Sequence, residues 1–295
     1  MPPPPLPVRI LRQRLVALLD ALPAATSGDV VSVHRARVAS RRLREVLPVL
    51  ADAAGTHHLG RASKDVRRIT RALGPIRELD VAIGHLQEVG PRSGVPARTL
   101  ALVRRHLNVE RQIQRRAMLD VITPRAAARL KTRLSSAPAI ERIEASDAAE
   151  IHSARRRAAR RAVRLRIDIG RVGGLYNSER LHAVRVATKK LRYALEVDRE
   201  LTRSRAAARI NRLKNLQDEL GRIHDFEILA EHTREVQAAL AGVDRRAATE
   251  LDGLVRTLET ECRDGHAAFL RDRAAIQALC QQVIDAARQG RPTFM

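Results

Sequence analysis

The stretch VHRARVASRRLREVL at residues 33–47 recurs in closely similar form as LHAVRVATKKLRYAL at residues 181–195. A second pair follows in the same order, RRITRALGPIRELDVAI at 67–83 and KNLQDELGRIHDFEILA at 214–230. The members of the first pair lie 148 residues apart, and those of the second pair 147. Because two blocks recur in one order and at nearly one spacing, we predict that a unit of roughly 140 residues was duplicated.

Each copy of the first stretch separates basic from apolar residues when it is wound as an α-helix, which turns about 100° per residue. One side carries a histidine and three cations: His34, Arg37, Arg41 and Arg44 in the first copy, and His182, Arg185, Lys189 and Arg192 in the second. The opposite side is apolar and is predicted to face a core: Ala36, Ala39, Leu43, Val46, Leu47 and Leu50, then Val184, Ala187, Leu191, Ala194 and Leu195.

Further residues beside these two basic stripes extend the predicted anion-binding set. They are Arg42, Lys190 and Tyr193 next to the stripes, Lys64, Arg67 and Arg71 on the following helix of the first half, and Lys214 at the matching place in the second half. The second copy of that following helix is otherwise less basic. We therefore predict that neighbouring helices present two basic ridges side by side. The ridge on the following helix should be more strongly basic in the first half than in the second.

The composition predicts an all-α protein made of two tandem helical bundles. The helix formers Ala, Leu, Arg and Glu dominate the 295 residues, and aromatic residues make up only 2%. We place a disordered, Pro-rich lead at residues 1–8, the first half at 9–145 and the second half at 146–290, with about four to six helices in each half. The boundary is placed in the least patterned stretch, SSAPAIERIEASDA.

Capping residues and glycines predict where helices begin and end. Asp29 is expected to cap the helix that carries the first stretch, and Asn177 or Ser178 is expected to cap the helix that carries its repeat. The expected breaks between consecutive helices are at Gly74–Pro75, Gly221 and Gly265.

The charge of the chain predicts a polyanionic partner. A formal net charge of +22 carries a cost of self-repulsion that such a partner would relieve. Cations one turn apart on a helix also repel each other, so a stripe found in both halves favours an anion site over an ordinary solvated face. Arg and Lys at this spacing suit phosphates that repeat along a line. The two histidines either donate hydrogen bonds to the anion or bond a backbone carbonyl, and the sequence leaves both interpretations open.

Signals of catalysis or metal binding are weak. There is no Walker loop and no Rossmann glycine fingerprint. His224–Asp225 could belong to a metal phosphohydrolase, but the further ligands that this chemistry needs cannot be assembled. Cys262 and Cys280 have no metal-site spacing and are expected to be reduced thiols. We therefore expect no enzyme activity, metal or cofactor, and the lack of a signal peptide or a long apolar run predicts a cytoplasmic location.

The repeated stretches, together with LGPIRELDV and LGRIHDFEI, resemble the CHAD family, the conserved histidine α-helical domain. The resemblance covers nearly the whole chain from about Leu11. It implies two four-helix-type bundles related by pseudo-twofold symmetry, whose basic faces meet at a central groove or pore. It also implies binding of inorganic polyphosphate, often with polyphosphate granules. The ExExK signature of a partner catalytic domain is absent, so the chain resembles a stand-alone member. Glu45 stands where the second copy has Tyr193, and Glu78 stands where an Asp is usual.

Three functions remain as hypotheses. The favoured one is non-catalytic binding of inorganic polyphosphate, which has no bases and needs only cations. The alternative is a basic helical module that binds RNA or DNA, which would share the charge and the salt dependence. Single-strand binders stack bases on aromatic side chains, and the few aromatic residues here are scattered. A polyphosphate- or nucleotide-processing enzyme is disfavoured because no catalytic set is found.

Overall fold

A computed structural model describes residues 6–54, 58–136, 147–202 and 205–289. These residues form ten α-helices and one 3-10 turn, and no strand occurs among them. The helices are α1 (Leu6–Ser27), α2 (Val30–Ala54), α3 (His58–Val89), α4 (Ala97–Val121), α5 (Pro124–Ser135), α6 (Asp147–Gly170), α7 (Ser178–Thr202), α8 (Ala207–Leu240), α9 (Arg245–Glu250) and α10 (Asp252–Gln289). The all-helical prediction is confirmed for this part of the chain.

Two buried apolar clusters hold the helices together, here called the first core and the second core. The first core is built by α1, α2 and the start of α3, with contributions from α4, α5, α6 and the end of α7. The second core contains α8, α10 and most of α6 and α7. Helix α3 belongs to both, because Leu59 to Ile76 lie in the first core and Leu79 to Val89 in the second. The boundary predicted near residue 145 lies outside the described residues and stays a prediction.

The helix starts that position the repeated stretches follow the predicted caps. Asp29 accepts a hydrogen bond of 2.8 Å from the Ser32 backbone amide at the start of α2. Asn177 accepts one of 2.9 Å from the Arg180 amide at the start of α7, so Asn177 is the cap rather than Ser178. Both α2 and α7 are 25 residues long, and every residue predicted on their apolar sides is buried.

The predicted breaks at glycines are wrong, because α3, α8 and α10 run through them without interruption. Two of these glycines are explained by close contacts. A Cβ atom on Gly265 of α10 would lie 2.6 Å from the side chain of Ile223 on α8, and one on Gly74 of α3 would lie 2.7 Å from the guanidinium of Arg37. These glycines therefore let neighbouring elements approach each other rather than ending helices.

Candidate polyanion-binding site

Helices α2 and α7 pack against each other and turn their basic stripes toward one cavity of about 230 Å³. The predicted residues that line this cavity, here called the cationic cavity, are Arg37, Arg41 and Arg44 from α2 and His182, Arg185, Lys189, Lys190 and Tyr193 from α7. The two repeated stretches, far apart in sequence, thus supply opposite walls of one space.

A wider groove of about 710 Å³ shares several of these residues and extends the cavity toward α3 and α8. The predicted residues that join the lining here are His34, Arg42, Arg192 and Lys214. Arg77 of α3 and Arg222 of α8 also line the groove, although they were not among the predicted residues. The cavity and the groove together form a continuous, mostly cationic surface.

Three predicted residues on α3 are not part of this lining. Lys64, Arg67 and Arg71 are exposed and line neither the cavity nor the groove. Burial is the first cause of the lowered pKa of Arg44, but the charges of Arg67 and Arg71 also contribute. These two arginines therefore lie near the edge of the site, whereas Lys64 is placed on the solvent face alone.

Burial among like charges lowers the pKa values of the cations in the cavity. The pKa of Lys189 is lowered to about 6, first by burial and then by Arg185, Arg41 and Arg37. Burial also lowers the pKa of Arg37 to about 10, with Arg41 adding to the effect. The pKa of Arg185 is lowered as well, again chiefly by burial. The folded chain thus keeps cations partly out of water and close together, which is unfavourable unless an anion joins them.

Two carboxylates at equivalent positions of the repeated blocks offset part of this charge. Glu78 accepts a hydrogen bond from Arg37 at 3.2 Å, and Asp225 lies 3.6 Å from Arg185. Asp225 also lies 3.9 Å from His85. Each of these acids holds one arginine in place, while Arg41 and Arg44 have no ion pair among the described residues, so the cavity keeps an excess of positive charge.

The two repeated histidines lie at the mouth of the site. His34 lines the groove, and burial and the nearby Arg77 lower its pKa. His182 lines the cavity with its ring 4.9 Å from that of His224, and burial and His224 lower its pKa. Within the described part of the chain, neither imidazole is hydrogen-bonded to a backbone carbonyl, so the structural alternative considered for these histidines has no support there.

Sequence reasoning missed the contribution of α6. Arg157 donates hydrogen bonds of 3.1 and 2.9 Å to the buried carboxylate of Glu45, and Arg161 lies 4.0 Å from the same group. Burial, then the charge of Arg161, lowers the pKa of Lys190. Glu45 occupies the place of Tyr193 in the repeat, so the exchange of a tyrosine for an acid was the signal that a basic helix lies opposite it.

The chain belongs to the CHAD family, since the family model of the CHAD domain matches residues 9–234. The family predicted from the repeated stretches is thereby confirmed. The crystal structure of the CHAD domain from the plant Ricinus communis is 26% identical, with a TM-score of 0.67 over 93% of this chain and 90% of that one.

A second solved structure, PptA from Streptomyces chartreusis, has the same fold. It is 17% identical, with a TM-score of 0.58 over 96% of this chain and 98% of that one. A search of curated proteins finds no match. Among the residues that the structure describes, no helix combines the length and the apolar character needed to cross a membrane.

Proposed function

We propose that this chain binds inorganic polyphosphate in the cationic cavity and the adjoining groove, without catalysing a reaction on it. The observation that carries the proposal is the convergence of Arg37 and Arg41 from α2 with Arg185 and Lys189 from α7 on one cavity. The two helices carry matching stretches of a chain that we take to be duplicated, so a ligand with repeating, equivalent charges suits both walls.

The energetics favour a polyanion because the cations are held in an unfavourable state without one. Burial lowers the pKa values of Lys189, Arg37 and Arg185, which means that their charged forms are destabilised by lost hydration and mutual repulsion. The buried Nε of Arg185 has no hydrogen-bond partner, and this unsatisfied donor adds to the cost of burying the guanidinium. Phosphoryl groups would supply both the charge and the acceptors that this cavity lacks.

The aromatic residue of the cavity does not offer the stacking surface that a nucleic-acid base needs. The guanidinium of Arg192 lies over the ring of Tyr193 at 4.2 Å from its centroid, and Tyr193 is only 5% exposed. Arg222, which lines the groove, covers the ring of the buried Phe226 in the same way, at 4.7 Å. Binding that relies on base stacking is thus disfavoured relative to binding through phosphates alone.

Competition binding tests the proposal. Long-chain polyphosphate should displace RNA of matched total charge from the chain in a filter assay at physiological salt. The combined variant Arg37→Glu, Arg41→Glu, Arg185→Glu and Lys189→Glu should lose nearly all binding while its helical circular dichroism is kept. A matched control reverses four exposed arginines outside the site, Arg104, Arg116, Arg125 and Arg129, and should retain most of the affinity.

Two outcomes would contradict the proposal. RNA that binds as tightly as polyphosphate would favour the nucleic-acid alternative, and equal losses in the two fourfold variants would mean that net charge alone governs binding. Release of orthophosphate during incubation with polyphosphate would contradict the non-catalytic part. We further propose association with polyphosphate granules, which predicts that a fluorescent fusion of the chain colocalises with granules and that the cavity variant does not.

A further inference from the structure

Two histidines and a glutamate meet between α4 and α8, and none of them lines the cationic cavity or its groove. His106 Nε2 lies 3.3 Å from His232 Nδ1 and 3.0 Å from Glu235 Oε2. His232 Nδ1 lies 3.0 Å from the same Glu235 oxygen. Metal ions are commonly held by histidine, cysteine and acidic side chains. Among such side chains in the described residues, the ligand atoms of these three converge closely enough to hold one metal ion.

The spacing of these three atoms fits one face of a zinc tetrahedron. Zinc binds histidine nitrogen and carboxylate oxygen at about 2.0–2.2 Å, so neighbouring ligand atoms of a tetrahedral site lie about 3.3–3.5 Å apart. The three distances found here, from 3.0 to 3.3 Å, are only slightly shorter. An ion seated just above the triangle would reach all three atoms and would keep its fourth position for water or another oxygen ligand.

Hydrogen bonds alone cannot satisfy all the contacts among these three atoms. A neutral imidazole nitrogen has either one proton or one lone pair in its ring plane. Each of the two imidazole nitrogens nevertheless has two polar neighbours within hydrogen-bond distance, the other nitrogen and the Glu235 oxygen. A central cation would take one lone pair from each atom and satisfy all three contacts at once.

The backbone holds the three ligands before any ion arrives. His106 lies between Val103 and Leu107, which are completely buried in the second core, and the residue after Glu235 is the buried Val236. On α8, His232 and Glu235 are three residues apart and therefore share a face. The ligands thus come from two helices that are fixed by apolar packing, as a selective metal site requires.

We propose that His106, His232 and Glu235 bind a divalent transition-metal ion of the zinc type, with two imidazoles and one carboxylate as ligands. This nitrogen-rich set favours zinc over magnesium or calcium, which prefer oxygen ligands. The carboxylate offsets one of the ion's two charges in a strongly basic chain. The site does not depend on the proposed binding of polyphosphate.

The test is titration of the untagged full chain with zinc in a phosphate-free buffer, in competition with a chromophoric chelator. One equivalent should bind, and Glu235→Gln and His232→Ala should each weaken binding by roughly tenfold or more. The matched controls are Glu231→Gln, an exposed acid one turn earlier on α8, and His152→Ala on α6, and both should bind as the original chain does. Cobalt in place of zinc should give the visible absorption bands of a four-coordinate site.

Glu235→Gln is the decisive variant, because 58% of this side chain is exposed and its replacement leaves the core intact. The proposal is overturned if no stoichiometric zinc binds at neutral pH. It is also overturned if Glu235→Gln binds zinc as tightly as the controls do, or if magnesium competes equally with zinc. The fourfold variants described for polyphosphate binding change none of the three proposed zinc ligands, so zinc binding should survive in them.

Discussion

The proposed binding of polyphosphate should depend on pH, in a direction set by Lys189. Its pKa in the free protein is about 6, against an ordinary value of 10.5, so the side chain is mostly uncharged at pH 8. A phosphate chain in the cavity stabilises the ammonium form. Binding at pH 8 should therefore take up about one proton, provided that the pKa of Lys189 in the complex exceeds 8.

The magnitude follows from linkage between proton and ligand binding. Above pH 6, each unit of pH should weaken the affinity for polyphosphate by up to about tenfold, or about 1.4 kcal/mol, until the pKa of the complex is reached. The groups facing Lys189 are Arg185 on its own helix, Arg37 and Arg41 from α2, and Asp225 from α8.

Calorimetry can count the proton directly. Titrations of long-chain polyphosphate at pH 8, in buffers with different ionisation enthalpies and at fixed ionic strength, give the number of protons taken up. Lys189→Met should remove most of this uptake and flatten the dependence of affinity on pH between 7 and 8. The control Lys214→Met removes an exposed ammonium from the same groove and should keep both.

Two results would refute this reasoning. One is a proton uptake near zero at pH 8 in the unaltered chain, and the other is a Lys189→Met variant whose affinity for polyphosphate has an unchanged pH dependence.

The same depressed pKa of Lys189 also predicts how the stability of the fold depends on pH. Between about pH 6 and 10.5 the unfolded chain binds a proton at Lys189 that the folded chain lacks, so stability should rise with pH by up to about 1.4 kcal/mol per unit, and Lys189→Met should remove this slope.

Three further predictions concern single side chains. Gly74→Ala would place a Cβ 2.7 Å from the Arg37 guanidinium and should weaken polyphosphate binding in the filter assay by roughly tenfold. The control is Gly221→Ala, at the equivalent place in the repeat, where an added Cβ would meet nothing within 4 Å. This variant should bind polyphosphate normally. Glu78→Gln removes the partner of Arg37 and should strengthen binding by on the order of 1 kcal/mol; weaker binding would show that positioning of Arg37 matters more than charge. Phe269→Ala empties a fully buried position of the second core and should lower the free energy of unfolding by about 3–5 kcal/mol, measured by urea denaturation.

The sequence predicted the local features well because a helical repeat is decided by residues a few positions apart. The caps at Asp29 and Asn177 set the start of each stretch, and the 3.6-residue period then decided which residues are buried. The same information placed Arg37 and Arg185 on one kind of surface. The period alone did not reveal that these two surfaces face each other, since that depends on how α2 packs against α7; only the family resemblance implied that the basic faces meet.

The errors arose where a residue's role depends on a distant partner. Gly265 is typical of a helix break in local sequence, but in the structure it makes room for Ile223 of α8. The arginines of α6 form an ordinary basic run until Glu45 of α2 is brought against Arg157. The cluster of His106 and His232 joins residues 126 positions apart, and no local spacing indicates it.

The sharing of residues between the two cores has a consequence for synthesis of the chain. The first core includes Val197 and Leu201 from the end of α7. A ribosome must therefore translate the chain as far as Leu201 before the earliest helices can finish their packing. Until then, the nascent polypeptide exposes apolar surface that chaperones can recognise.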